Sequence, residues 1–213
     1  MNSVALWSNE MKINRTIEAL KKNNINGYYA KNRDEVIKLI EDIVAEGSKV
    51  AVGGSETLSE LGVLEHLRSG RYDFLDRYKA GLTPEEVTNI FKQSFLADAY
   101  LSGCNAITEN GELYNVDGNG NRVAAMLYGP DKVIVICGVN KIVKDVDEAI
   151  KRNRAISAPM NAKRLKRKTP CAKVGYCMDC NSPERICNEY TLIKKQRLPE
   201  RMHVIFLNEN LGY

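Results

Sequence analysis

The feature that most constrains the fold of this chain is a repeated order of apolar strand, glycine loop and helix start. In KVAVGGSETLSELG, an apolar strand over residues 50–52 runs into two glycines and then into a helical pattern. In DKVIVICGVNKIV, a longer apolar run over residues 133–137 also ends at a glycine, and a helix is predicted from Asp145 because acidic residues follow it. Strand, loop and helix in this order form the unit of a parallel sheet covered by helices. The sequence therefore predicts an α/β fold.

The rest of the chain extends this pattern. Hydrophobic spacing predicts amphipathic helices over residues 9–23, 34–47 and 83–98. Short strands are predicted at 72–78, 99–102, 106–108, 112–116 and 204–207, with a tight turn at 109–111. We predict a single domain over residues 1–213 with a three-layer α/β architecture, in which a mostly parallel sheet carries one inserted hairpin.

The length of the chain and the composition of its first thirty residues restrict the class of protein. A chain of 213 residues buries a core without needing disulfides or a metal. The first thirty residues lack the apolar run of a secretory signal, and no stretch approaches the roughly 18 apolar residues that span a bilayer. We therefore expect a cytoplasmic protein without membrane contact. Thiols stay reduced in that compartment, so clustered cysteines indicate metal ligands or redox groups before they indicate disulfides.

Positive charge is concentrated in one segment. The chain has a net charge of +4, but KRNRAISAPMNAKRLKRK at residues 151–168 carries eight Lys or Arg and no acid, which leaves 23 basic against 27 acidic residues elsewhere. A basic stripe of this kind can bind nucleic acid, yet no aromatic side chain for base stacking is interleaved with it. We interpret the segment as a solvated linker, and nucleic acid is not an expected partner.

Three glycine-marked loops follow predicted strands, at residues 53–55, 117–122 and 138–141. In a parallel sheet, ligands bind beyond the carboxyl ends of the strands, so these loops are the candidate ligand site. GGSET offers backbone N–H groups and two hydroxyls to a phosphate or carboxylate, although a plain turn with an N-cap at Ser55 or Thr57 explains it equally well. It fits neither a P-loop nor a nucleophile elbow.

The second and third loops each supply one candidate cation. DGNGNR begins like a calcium loop but lacks the later glycine and glutamate, and it also fails as a dinucleotide fingerprint. Arg122 in this loop is a candidate bidentate partner for an anion, with a structural turn as the alternative. Lys141 in CGVNKIV is a candidate partner for a carboxylate or phosphate, with a solvated lysine as the alternative. The predicted ligand is thus a small anion.

Four of the six cysteines are clustered. Cys171, Cys177, Cys180 and Cys187 have the spacing C-x5-C-x2-C-x6-C, in which the central pair can approach a metal from one turn. A compact run of this kind favours a [4Fe–4S] cluster, zinc is the alternative, and reduced thiols without metal are the third reading. The segment is interpreted as a basic, four-cysteine insertion over residues 157–200, placed before the last strand.

Other reactive residue types give weaker signals. Cys104 lies at a predicted strand end and is a minor candidate for reactivity. Cys137 is interpreted as a small apolar side chain in the core. Neither His66 nor His203 has a sequence neighbour that suggests catalysis. No general acid–base pair or flavin motif is evident.

The stretches KVAVGGSETLSELG, SGCNAITENGELYNVDGNGNRVAAMLYGPDKVIVICGVNKIV and HVIFLNENLGY resemble the lactate-utilisation (LUD domain) family, from about residue 10 to the end of the chain. The resemblance implies the NagB/RpiA/CoA-transferase-like fold of ribose-phosphate isomerases, glucosamine-phosphate deaminases and coenzyme A transferases. It also implies a bacterial protein that takes part in oxidising L-lactate to pyruvate beside separate iron–sulfur subunits. The four-cysteine segment departs from the simplest members of the family.

Carried onto this sequence, the family pattern falls on the same three loops. Its positions are Gly54, Ser55, Thr57, Asn105, Ala106, Thr108, Gly111, Asp117, Gly120, Asn121, Arg122, Gly138, Asn140 and Lys141.

Three functional hypotheses follow. In the first, the chain is a component of lactate utilisation that binds a small carboxylate such as lactate, with Arg122 and Lys141 as anion partners and an iron–sulfur cluster as an electron relay. In the second, it is a non-catalytic binding or assembly module with a structural zinc site. In the third, it is a transferase-like or isomerase-like enzyme of the same fold, for which Glu56 and Glu109 are the candidate carboxylates. Catalysis and oligomer formation are left open.

Overall fold

A computed structural model describes residues 3–213 and divides their strands between two sheets. The strands are β1 Asn26–Ala30, β2 Lys49–Val52, β3 Asp73–Leu75, β4 Ala99–Ser102, β5 Ala106–Thr108, β6 Leu113–Asp117, β7 Lys132–Gly138, β8 Ile142–Val143, β9 Glu189–Ile193 and β10 Met202–Leu207. Six of them form a fully parallel sheet in the order β1-β10-β7-β4-β2-β3. The other four form a smaller mixed sheet in the order β8-β5-β6-β9.

Helices cover the parallel sheet on both faces. They are α1 Ser3–Lys22, α2 Arg33–Ile43, α3 Glu56–Glu60, α4 Val63–Leu67, α5 Pro84–Gln93, α6 Asn121–Leu127, α7 Val146–Arg152, α8 Ala158–Arg164 and α9 Pro170–Val174. A π-helical turn, Asn153–Ser157, joins α7 to α8, so that the two form one continuous helical stretch. The predicted three-layer α/β architecture with a mostly parallel sheet is confirmed.

Strand β7 shows why the sheet has two covered faces. Its residues alternate between two cores: Val133 and Val135 pack with Ile13 of α1, whereas Ile134 packs with Val36 of α2. A strand buried on both sides needs apolar residues at every position, which explains the uninterrupted VIVIC run. The central strand was therefore predictable from the sequence.

Helix starts follow local capping chemistry. Thr83 and Glu86 form a reciprocal capping box at α5, where the helix predicted over residues 83–98 begins. Of the two candidate caps for α3, the structure uses Ser55, whose Oγ accepts from the backbone N–H of Leu58. Asp145 caps α7 by accepting from the N–H of Glu148.

Three features differ from the sequence prediction. Strand β1 was not predicted, because NGYYA combines two poor strand formers with two half-buried tyrosines at the sheet edge. The hairpin β5–β6 does not join the main sheet but forms the small sheet with β8 and β9. The stretch 157–200 also contains regular elements that were not predicted, since its first part is helix α8 and β9 pairs with β6.

No helix within residues 3–213 combines the length and apolar character that crossing a membrane requires.

Candidate functional site

A cavity of about 400 Å³ lies beyond the carboxyl ends of β2, β4 and β7. Its volume is in the range of roughly 300–1,000 Å³ that small-molecule sites occupy. The predicted site residues that line it are Gly54, Ser55, Asn105, Asp117, Asn121, Arg122 and Lys141. The loops after β2, β4 and β7 therefore converge on one cavity, as expected when neighbouring parallel strands end at the same edge of a sheet. The predicted loop 117–122 joins them from β6 of the small sheet.

Glycine at position 103 lets these loops approach closely. A Cβ atom there would lie 2.7 Å from Oγ of Ser55 and 3.7 Å from Nζ of Lys141. The first of these distances is shorter than Cβ contacts in proteins, so the Ser55 hydroxyl that caps α3 would have to move if residue 103 carried a side chain. The close contact of the β2 and β4 loops thus depends on Gly103, which the sequence analysis did not single out.

Arg122 organises the loops around it. Its side chain is only 12% exposed, and its guanidinium lies 2.7 Å from the carboxylate of Asp117. All five of its N–H donors have acceptors within the chain. These acceptors are Asp117 Oδ1, Gly103 O, Asn115 Oδ1, Asn105 Oδ1 and Val116 O. The predicted anion partner Arg122 therefore lines the cavity with its hydrogen-bonding capacity already used.

Asp117 is likewise fully engaged. Its Oδ2 accepts from the backbone N–H groups of Arg122 and Val123 at 3.1 and 3.0 Å, so it also closes the start of α6. Gly120 precedes this helix with a φ of 68°, a left-handed conformation that favours glycine. The DGNGNR loop is thus a folded support for Arg122.

Lys141 is the deepest cation of the cavity. It lies in a short 3₁₀ turn after β7, is 3% exposed, and its Nζ donates to Oγ1 of Thr57 at 2.9 Å. Burial lowers its pKa, the nearby guanidinium groups of Arg152 and Arg122 lower it further, and the thiols of Cys104 and Cys137 raise it. No carboxylate within residues 3–213 forms a salt bridge with it.

Arg152 is a second buried cation beside this site. Its guanidinium donates to the backbone oxygens of Asn140 and Asn105 and to Oγ of Ser157. Burial lowers its pKa, and the thiols of Cys104 and Cys137 oppose this effect. The described part of the chain therefore holds two buried positive charges without a carboxylate counter-charge, an arrangement that an anion would stabilise.

The outer part of the cavity carries further arginines. Arg77 lies over the ring of Phe91 at 4.5 Å, and Arg164 is 3.5 Å from Glu56 and donates to the hydroxyl of Tyr213. The basic lining residues that sequence reasoning missed are Arg77, Arg164, Arg167 and Arg185. Two of them, Arg164 and Arg167, belong to the basic segment over residues 151–168, which was interpreted as a solvated linker without a role in the site.

The four-cysteine segment forms one wall of the cavity. Residues 183–186 line it, and the backbone of Asn188 donates to the carbonyl of Asp117 at 2.8 Å. At Gly118, a Cβ atom would come within 3.3 Å of Cα of Ile186. The segment thus packs directly on the DGNGNR loop, a contact between distant parts of the chain that sequence spacing does not reveal.

The predicted metal ligands are free thiols of intermediate exposure. Burial raises the pKa of Cys187, and the nearby thiols of Cys177, Cys180 and Cys171 raise it further, so the four side chains lie in one neighbourhood. Within residues 3–213, however, no three Cys, His, Asp or Glu side chains are arranged so that they could hold a metal ion. The metal site stays a prediction.

The remaining predicted residues have other positions. Thr108 is buried in the hairpin and bonds Glu112, and Glu109 pairs with Arg15 at 3.6 Å beside a separate surface cavity. Gly138 and Asn140 do not line the main cavity. Asn140 instead receives a hydrogen bond from the backbone of Leu211, holding the segment that carries Tyr213 to the cavity. Of the two candidate carboxylates, only Glu56 lines the site.

Comparison with known proteins supplies a family. The sequence model of the LUD domain family matches residues 13–207. A DUF162 family protein from Deinococcus radiodurans is 16% identical, with a TM-score of 0.33 over 84% of this chain and 99% of that chain. The tetrameric eIF2B-beta2-delta2 complex from C. thermophilum is 17% identical, with a TM-score of 0.42 over 82% of this chain and 55% of that chain. No curated protein matches.

Proposed function

Because the chain belongs to the LUD domain family, we propose that it is a component of L-lactate utilisation that binds a small carboxylate or phosphate at the strand-end cavity. The observation that carries the proposal is the pair of buried cations, Lys141 and Arg152, without a carboxylate partner among the described residues. A unit anion about 4 Å from such a charge gains roughly 4 kcal/mol of Coulomb energy at an effective dielectric constant of about 20.

Within this proposal, Lys141 is the direct anion contact. Its ammonium reaches the cavity, whereas the guanidinium of Arg122 already bonds five acceptors. Arg122 therefore holds the loops in place, and Arg152 adds positive potential from behind. The outer arginines, Arg77 and Arg167, steer anions towards the opening.

Binding is tested by isothermal titration calorimetry of the full chain with L-lactate, pyruvate and inorganic phosphate. We expect Lys141→Gln to weaken binding of the recognised anion by about 100-fold, because the amide keeps the size but not the charge. Lys38→Gln, on the exposed face of α2, is the matched control and should leave the affinity unchanged. Failure of all three anions to bind the folded wild-type protein overturns the proposal, as does equal affinity in both variants.

The assignment to lactate metabolism is tested in cells. Deleting the gene from its host should prevent growth on L-lactate while growth on pyruvate continues, since only the first needs oxidation of lactate. Wild-type growth on L-lactate in the deletion strain would contradict the assignment. Iron–sulfur partner subunits belong to the same proposal, and they should copurify with the tagged full chain from lactate-grown cells.

We also propose that the four cysteines bind a [4Fe–4S] cluster, with zinc as the alternative. The spacing C-x5-C-x2-C-x6-C of the four cysteines supports it. Metal analysis and a visible spectrum of anaerobically purified protein distinguish the two: iron with a broad visible band indicates the cluster, and one zinc in colourless protein indicates a structural site. Cys177→Ser should lower the metal content, and an unchanged content would exclude metal binding by these residues.

A further inference from the structure

Two buried thiols face each other under the floor of the cavity. Cys104 follows β4 and Cys137 lies near the end of β7, and neither is in a disulfide. These strands are parallel neighbours in which Ser102 pairs with Val135. Extending that register by two residues places Cys104 beside Cys137, and the two side chains share a hydrogen bond. They form a dithiol in which the two members have different surroundings.

Three cations within residues 3–213 surround Cys104. Lys141 faces it from the turn after β7, Arg122 from α6 and Arg152 from the continuous helical stretch. Arg122 is neutralised by Asp117, but the other two cations have no carboxylate partner within residues 3–213. A thiolate at Cys104 is the counter-charge that the chain itself can offer to these two cations.

These contacts polarise the thiol pair. The hydrogen bond from Cys137 is the main cause that lowers the pKa of Cys104, the nearby cations lower it further, and burial opposes them. Burial and the same hydrogen bond raise the pKa of Cys137. Cys104 is therefore the member that ionises, and Cys137 is the member that stays protonated and donates. Low-pKa thiols near cations are the reactive ones in proteins.

Access separates the two thiols as well. Cys104 lines the cavity together with Gly103, Asn105 and Lys141, whereas Cys137 does not line it. Both belong to the same hydrophobic core cluster, so packing alone would treat them alike. The reactive position is thus open to a ligand that sits against Lys141, and its protonated neighbour is shielded.

We propose that Cys104 is a nucleophile that adds reversibly to the carbonyl carbon of an anionic ligand of the 2-oxo acid class. The inference rests on the proposed function, because the cavity cations bring the anion to the thiolate. In the step, an S–C bond forms while the carbonyl π electrons move to oxygen, and that oxygen takes a proton from the Lys141 ammonium. The product is a thiohemiketal, no oxidant is needed, and the reverse step returns the thiolate.

Alkylation of the full chain tests the nucleophile without a variant. Iodoacetate and iodoacetamide both replace iodide at sulfur, but only iodoacetate is an anion. Site-resolved mass spectrometry should show Cys104 reacting about tenfold faster than Cys137, and faster with iodoacetate than with iodoacetamide. Cys137 is the internal reference, which lies in the same core but does not line the cavity. The ratio of the two reagents at Cys104 tests the nearby cations separately from access. Equal rates at the two thiols, or a preference for the neutral reagent at Cys104, would overturn the inference.

The adduct itself is tested with pyruvate labelled with ¹³C at C2. Wild-type protein should convert part of the bound ketone signal into a tetrahedral carbon signal, and folded Cys104→Ser should not. If calorimetry shows that pyruvate binds the wild-type chain but no tetrahedral signal distinguishes it from Cys104→Ser, the covalent step is refuted and the anion site stands. If neither pyruvate nor another anion binds, the proposed function fails and this inference fails with it.

Discussion

Replacing Arg122 by lysine should destabilise the fold rather than simply remove a ligand contact. The guanidinium bonds five acceptors, two in the loop between β4 and β5 and three on strand β6, and lysine keeps the charge but cannot reproduce this planar arrangement. Several buried acceptors then lose their donor, at roughly 1–3 kcal/mol each, partly offset by the charge pair that lysine retains with Asp117. We expect a net loss of about 3 kcal/mol in the free energy of unfolding.

Urea denaturation and thermal unfolding measure this loss. In a chain of this size, about 3 kcal/mol corresponds to a lowering of Tm by roughly 6–12 °C. Arg15→Lys is the matched control, because Arg15 pairs with Glu109 on the surface with its side chain 62% exposed, and its substitution should cost less than about 1 kcal/mol. An Arg122→Lys protein with wild-type stability and lost anion binding would refute the organising role and restore Arg122 as the ligand contact.

Two further predictions concern the rest of the sheet. Burial lowers the pKa of His203, whose neutral ring lies 3.0 Å from the hydroxyl of Tyr28. The unfolded chain therefore binds the proton at a higher pH than the folded chain does. The free energy of unfolding should fall as the pH drops from about 6.5 to 5, and it should fall less in His203→Asn. Urea titrations at several pH values measure this difference. Gly138→Ala would place a Cβ 2.2 Å from the carbonyl oxygen of Glu209, so it should lower the free energy of unfolding by about 2 kcal/mol. Gly54→Ala is the control and should leave the free energy of unfolding unchanged. Equal unfolding curves for the two variants would contradict this prediction.

The parts of the fold that could be predicted are those specified by local patterns. The run VIVIC is apolar at every position because β7 is covered on both faces, and Thr83 with Glu86 marks the start of α5 by a contact three residues apart. Strand β1 lacked such a pattern because it is held by pairing with β10, far along the chain. The small sheet was missed for the same reason, since β6 pairs with residues 189–193.

The candidate site divides in the same way. Its loops after β2 and β7 could be predicted because the topology of a parallel sheet brings strand ends together, whereas the loop after β6 reaches the cavity from the small sheet. The sequence could not show whether Arg122 binds a ligand or other groups of the protein. The answer depends on five acceptors whose positions only the folded chain defines. Of the outer arginines, Arg77 and Arg185 were missed because they come from segments that are distant in sequence, and the other two because the basic segment was interpreted as a linker.

The four-cysteine segment connects the proposed metal site with the proposed anion site. Residues 183–186 lie between Cys180 and Cys187 and form a wall of the cavity. Arg185 within this wall lies 3.2 Å from Asp179, beside Cys180. A metal that draws the four thiols together would therefore reposition a cationic wall of the anion site. By thermodynamic linkage, whatever factor the metal contributes to anion affinity, the anion must contribute to metal affinity. Equal anion affinity in metal-loaded and metal-free protein would separate the segment from the cavity and leave it as a structural element alone.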